Sequence, residues 1–205
     1  MSNSNLLVSR KSLSLAFPVL WCAIAALLLV ACGPSENAGP TTNSPSPEAT
    51  RAASNVAPSA SEYSIGDKID FGTNGNSQSY KVSGWSGAEP NFSWTEGIVS
   101  VLALRISPVA DPLTLKIKCG GFTRNPEVLS QPVEVFANDQ KIADWNVREL
   151  AEYSAPIPPA ISQSGGVLTI TLKIPKAVSP KSLGAGQDSR LLGLSCLEVS
   201  LSRTQ

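Results

Sequence analysis

The stretches Leu113-Thr114-Leu115-Lys116-Ile117-Lys118-Cys119 and Leu168-Thr169-Ile170-Thr171-Leu172-Lys173-Ile174 decide the fold class. In both, apolar and polar residues alternate with a period of two. Successive side chains of a strand point to opposite faces. The pattern therefore places Leu113, Leu115, Ile117 and Cys119 on a dry face and Thr114, Lys116 and Lys118 on a wet one. A helix would need a period near 3.6. Antiparallel sheets tolerate one solvated face, and both stretches read as strands of that kind.

The neighbouring sequence extends this reading. Val133, Val135 and Ala137 lead into Asn138-Asp139-Gln140, with Ile142 beyond. Asn and Asp accept positive φ, so a hairpin is predicted there. The nearly continuous apolar run Val99 to Ile106 reads as a central strand. Tyr63 to Phe71 and Ser77 to Val82 read as an early strand pair around Asn74-Gly75. Leu192 to Leu201 closes the chain, and its apolar parity slips between Cys196 and Leu197, which predicts a β-bulge. Gly120-Gly121, Pro156, Pro158-Pro159 and Gly165-Gly166 punctuate the joins. Only Asp144 to Glu152 reads as a short helical turn. About eight short strands without long helices predict an all-β fold, an antiparallel two-sheet sandwich of jelly-roll type, over residues 61–205.

The N-terminus is of another kind. Arg10 and Lys11 precede an uncharged apolar run from Leu13 to Val30, which ends in Leu29-Val30-Ala31-Cys32. That ending resembles the bacterial lipobox. Residues 1–31 are therefore expected to be a lipoprotein signal peptide, with Cys32 as the lipidated residue; a permanent membrane helix is the rival reading. Acyl chains contribute about 0.8 kcal/mol per buried CH₂, so the lipid would anchor the chain firmly. The expected location is the cell envelope. Gly33, where an aspartate would resemble an inner-membrane retention signal, favours the outer membrane. Residues 33–60 are mostly Ser, Thr, Asn, Ala and Pro without hydrophobic period, with prolines at 34, 40, 45, 47 and 58. Together with Cys32 they read as a disordered tether, about 30 Å long as a coil.

Composition excludes much chemistry. The chain has no histidine, which removes Ser-His-Asp and Cys-His arrangements and most catalytic zinc sites. No glycine-rich phosphate loop opens a helix, and no cofactor is implied. Setting aside residues 1–31 removes two of the 16 basic residues and none of the 16 acidic ones. The remainder has no basic footprint for nucleic acid. Beyond Cys32, Cys119 and Cys196 remain. In an oxidising compartment they suggest a Cys119–Cys196 disulfide; the alternative is two buried thiols acting as small apolar residues. No metal site is implied.

Four further stretches carry a resemblance. They are Gly84-Trp85-Ser86-Gly87-Ala88-Glu89-Pro90 with Trp94 and Gly97; Pro112-Leu113-Thr114-Leu115; Gln131-Pro132-Val133-Glu134-Val135-Phe136-Ala137-Asn138; and Asp188-Ser189-Arg190-Leu191-Leu192-Gly193-Leu194. Taken in order, over residues 65–203, the chain resembles an uncharacterised β-sandwich domain found at the ends of bacterial cell-envelope polysaccharide glycosyltransferases. That family is similar to galactose-binding-like jelly rolls. The resemblance implies a sandwich that binds carbohydrate more readily than it performs chemistry. The chain departs from the family pattern at Asn91-Phe92-Ser93.

These readings converge on a set of candidate ligand-binding residues: Trp85, Trp94, Glu89, Asp188 and Arg190. Trp85 and Trp94 would stack on the apolar face of a sugar from a loop between Gly84 and Gly97, or serve packing. Asp188-Ser189 favours a local turn; Arg190 would then pair with Glu89 in a fork, or bind hydroxyls with Asp188. The expected function is a lipid-anchored, non-catalytic envelope module that binds or organises surface carbohydrate. The alternative is a protein–protein adaptor of an envelope assembly.

Overall fold

The computed structural model describes residues 60–204. The segments expected to be signal peptide and tether, with Cys32 between them, lie outside the described residues. Twelve strands form two sheets of six. The first sheet holds β1 (Ser61–Glu62), β3 (Lys81–Ser83), β6 (Val99–Ile106), β8 (Gln131–Ala137), β9 (Gln140–Val147) and β11 (Gly166–Lys173). The second holds β2 (Lys68–Asp70), β4 (Trp85–Ala88), β5 (Ser93–Glu96), β7 (Leu113–Gly121), β10 (Ala151–Ile157) and β12 (Leu192–Arg203). Strand order runs β1-β6-β11-β8-β9 with β3 on β6, and β10-β7-β12-β5-β4 with β2 on β12. All named pairings are antiparallel except the two-residue β1–β6 pair. The chain crosses repeatedly between the sheets, as in a jelly roll.

The period-two faces meet in one core. Leu113, Leu115, Ile117 and Cys119 of β7 and Leu168, Ile170 and Leu172 of β11 are fully buried, and Ile174 continues the inward set. The Asn138-Asp139 hairpin forms between β8 and β9, with φ of 44° and 65°. The bulge in β12 falls at Leu197, where the register against β7 shifts between Cys196 and Glu198.

Three expectations are corrected. No early hairpin forms around Asn74-Gly75: β2 pairs with β12, and β3 pairs with β6 in the other sheet. The turn between them is fixed locally. The Asn76 side chain accepts from the Asp70 N–H and donates to the Lys68 carbonyl, and a Cβ on Gly75 would lie 2.2 Å from the Asp70 carbonyl oxygen. The helical turn at Asp144 to Glu152 is absent. β9 and β10 occupy that stretch, because β9 pairs with β8 along its length and Trp145 packs against Tyr153. The α-helix falls instead at α1 (Pro159–Ser164), opened by Pro159, whose fixed φ suits a first turn. Finally, Cys119 and Cys196 are free thiols, not a disulfide. They lie directly opposite each other on β7 and β12, both fully buried. The neighbouring Cys119 thiol and the apolar surroundings push the Cys196 thiol well above its ordinary range.

Tyr63 ties the first described residues to β12: its hydroxyl donates to the Asp67 carbonyl and accepts from the buried Leu201 N–H at 2.9 Å. No helix among the described residues is long and apolar enough to cross a membrane.

Candidate functional site

The two candidate tryptophans face opposite ways. Along β5, Ser93 and Thr95 are fully buried, and their hydroxyls hold the Phe71 carbonyl and the Leu194 N–H. The residues between and beyond, Trp94 and Glu96, therefore point outward. Trp85 pairs with Thr95 across the β4–β5 hairpin and turns inward. Its indole N–H donates to the Val101 carbonyl at 2.9 Å, and its ring meets Phe71 at 4.9 Å between centroids. Trp85 thus packs against the core, and the expectation that it and Trp94 flank one site is corrected. The cause is Gly84. Its φ is +74°, and a Cβ there would sit 2.0 Å from the Val99 carbonyl oxygen, so only glycine brings β4 this close to β6.

Trp94 stands on the outer face of the second sheet, within an aromatic trio. Phe92 meets it at 5.4 Å and 86°, and Phe122 at 5.9 Å and 80°. Both are edge-to-face geometries, which match the quadrupoles of the rings. All three are half-buried. Phe92 lies two residues before Trp94, so it shares the outward parity of the strand.

Strand register sets the neighbours. Trp94 is opposite Ser195, and Ser195 is opposite Gly120. Next along the face comes a charged row, Asp70–Glu198–Lys118–Glu152, followed by Lys68–Ser200–Lys116–Ser154. Ion pairs cross between the rows, Lys68 to Glu198 at 3.1 Å and Lys116 to Glu152 at 3.4 Å. An open cleft of about 360 Å³ lies over this region, lined by Asp70, Asn74, Asn91, Lys118, Leu197 and Glu198 among others. The bulge presents Leu197 to it. Asn91 adjoins Phe92 in the chain, so the cleft and the aromatic trio share one sheet face. The cleft wall is closely packed: the Gly72 N–H donates to Asp70 Oδ1 at 2.7 Å, and a Cβ on Gly72 would lie 2.7 Å from the Pro90 carbonyl oxygen.

The loop before β12 also differs from expectation. Arg190 forks onto Asp188, not Glu89. Its Nη2 lies 2.6 Å from Asp188 Oδ2, its Nε lies 3.1 Å from each carboxylate oxygen, and its backbone N–H donates to Asp188 Oδ1. A two-residue spacing lets one carboxylate close its own turn and take the guanidinium, which a partner on another strand cannot match. Those hydrogen bonds hold the Asp188 carboxyl below its ordinary range. Glu89 closes the β4–β5 turn through its N–H, which donates to the Phe92 carbonyl at 2.7 Å. Glu89 and Glu96 act on Arg190 only through their longer-range field. Of the five candidates, only Trp94 belongs to the aromatic trio. Among the described residues no group of three or more Cys, Asp or Glu side chains is placed to hold a metal.

Phe92, Phe122, Asp70, Asn91, Lys118 and Glu198 were absent from the sequence-derived set. Phe92 alone had a local signal, its period-two relation to Trp94. The others come together only through the pairing of β12 with β2, β5 and β7.

No family model and no curated protein matches the chain. Solved structures with a similar outline include a family 36 carbohydrate-binding module in complex with calcium and xylotriose. It is 8% identical, with a TM-score of 0.39 over 66% of this chain and 99% of that one. A family 6 carbohydrate-binding module is 10% identical, with a TM-score of 0.40 over 72% and 100%. A family 35 module from an environmental isolate is 17% identical, with a TM-score of 0.32 over 61% and 80%. At these values the likeness bears no functional argument, and the sandwich rests on its own strand pairing.

Proposed function

We propose that this domain is a non-catalytic module that binds saccharide on the outer face of the β10-β7-β12-β5-β4 sheet, held to the bacterial envelope by lipid on Cys32. The observation that carries the binding reading is the meeting, on one face, of the Phe92–Trp94–Phe122 trio with a polar cleft. A sugar ring has an apolar C–H face and a rim of hydroxyls. The aromatic half suits the first, and the side chains of Asp70, Asn74, Asn91, Lys118 and Glu198 suit the second. The cleft volume lies at the small end of the range of about 300–1,000 Å³ typical of ligand pockets.

The arrangement suits binding better than turnover. Asp70 is engaged by the Gly72 N–H and Glu198 by Lys68, so both cleft carboxylates are already paired as charged acceptors. A glycan-array screen of the purified full chain tests the reading, with Trp94→Ala alongside. The expected result is a restricted set of neutral glycans bound by the wild type and lost in the variant. Neutral-glycan binding that survives Trp94→Ala would reject the sheet face as the site. Capture of an envelope protein with no glycan bound would favour the adaptor alternative.

A further inference from the structure

A second groove, of about 240 Å³, opens at the edge of the sandwich where β3 of one sheet passes β4 of the other. Gln78, Lys81, Ser83, Trp85 and Ser86 line it. Lys81 is the unusual member. Its register partner is the fully buried Leu102, so its side chain enters the space between the sheets. Its Nζ donates to Ser93 Oγ at 2.7 Å and lies 5.3 Å from the Phe71 ring centroid and 6.0 Å from that of Trp85. Among the described residues it forms no ion pair with any carboxylate. A half-buried ammonium has three N–H donors, and among the described residues Ser93 Oγ is its one protein acceptor. The groove walls are fixed by the Trp85 N–H on the Val101 carbonyl and by the Glu96 N–H and Ser100 hydroxyl on the Gly84 carbonyl.

We infer that this groove is a second binding site, for a single acidic sugar unit whose carboxylate meets Lys81. The donor set commits to that chemistry. The lone cation calls for an anion. Gln78 and Ser83 line the groove with exposed side chains that can reach ring hydroxyls. Trp85 offers an aromatic wall, and the volume falls below that typical of drug-sized ligands, which suits one ring. The site is separate from the outer face that holds Trp94.

The test titrates the purified full chain with trigalacturonate, and with neutral galactotriose as control. Binding is read by the indole N–H signal of Trp85, with Lys81→Met and Trp94→Ala as variants. The expected result is a shift of the Trp85 signal with the acidic probe alone, at least tenfold weaker binding in Lys81→Met, and no change in Trp94→Ala. Equal binding by Lys81→Met overturns the inference, as does a loss caused by Trp94→Ala. Should Lys81→Met fail to fold, the wild-type titration decides alone, and an unmoved Trp85 signal at millimolar trigalacturonate overturns it.

Discussion

Replacing Trp85 by alanine tests the inward assignment on which the site depends. The indole is half-buried, packs on Phe71, donates to the Val101 carbonyl and lies within cation–π reach of Lys81. Truncating a fully buried Trp costs about 3–5 kcal/mol. With part of the ring exposed, about 3 kcal/mol is expected. At about 2–4 °C per kcal/mol for a domain of this size, the melting temperature should fall by about 6–12 °C. Trp85→Phe keeps most of the ring and loses the hydrogen bond, for about 1 kcal/mol. Trp94→Ala removes two edge-to-face contacts, each worth about 0.5–1.5 kcal/mol, so it should cost about 1–3 kcal/mol. Urea unfolding of the three variants checks the ranking. A Trp94→Ala loss larger than that of Trp85→Ala would refute the assignment of which ring serves the core.

Other positions give independent checks. Gly84→Ala forces a Cβ into the Val99 carbonyl at positive φ and should destabilise by more than about 2 kcal/mol; a urea midpoint equal to that of the wild type would contradict it. Tyr63→Phe strands the buried Leu201 N–H at a cost of about 1–3 kcal/mol, measured as the shift in the same midpoint. Asp188 has a depressed carboxyl, so its contribution to the 188–190 turn is complete above the ordinary carboxylate value of about 3.9 and is lost as pH falls through the lower folded value. The Arg190 amide signal should therefore titrate with a midpoint below 3.9, and Asp188→Asn should abolish that step. Cys32→Ser should leave an uncleaved precursor that takes up no labelled fatty acid; normal processing in that variant would reject the lipid anchor.

How much the sequence discloses depends on how far each interaction reaches. Strands long enough to show alternation, at 113–119 and 168–174, are legible because parity alone decides which residues are buried. The Asn138-Asp139 turn and the Leu197 bulge are legible for the same reason, being defects in a local pattern. Short strands are not. β4 and β5 have four residues each, with a register shift between them, and their parity cannot be counted from the sequence. That is why Trp85 and Trp94 read alike although they face opposite sides. The Asp188–Arg190 fork hides for a different reason: both Glu89 and Asp188 are chemically suitable partners, and proximity within the turn chooses. The cleft is the least legible, because β2, β7, β12 and the Pro90-Asn91 loop meet only through long-range pairing.

The saccharide reading is tested most directly by the indole N–H signals of the purified full chain, recorded while a neutral glycan selected on the array is added. Trp94 lies on the proposed binding face, Trp85 packs against the core on the other side of its sheet, and Trp145 packs at a tilt on Tyr153, which has the inward parity of Ile117. Saccharide binding at this face predicts a saturable shift of the Trp94 signal with those of Trp85 and Trp145 unmoved. A still Trp94 signal at saturating glycan would contradict it.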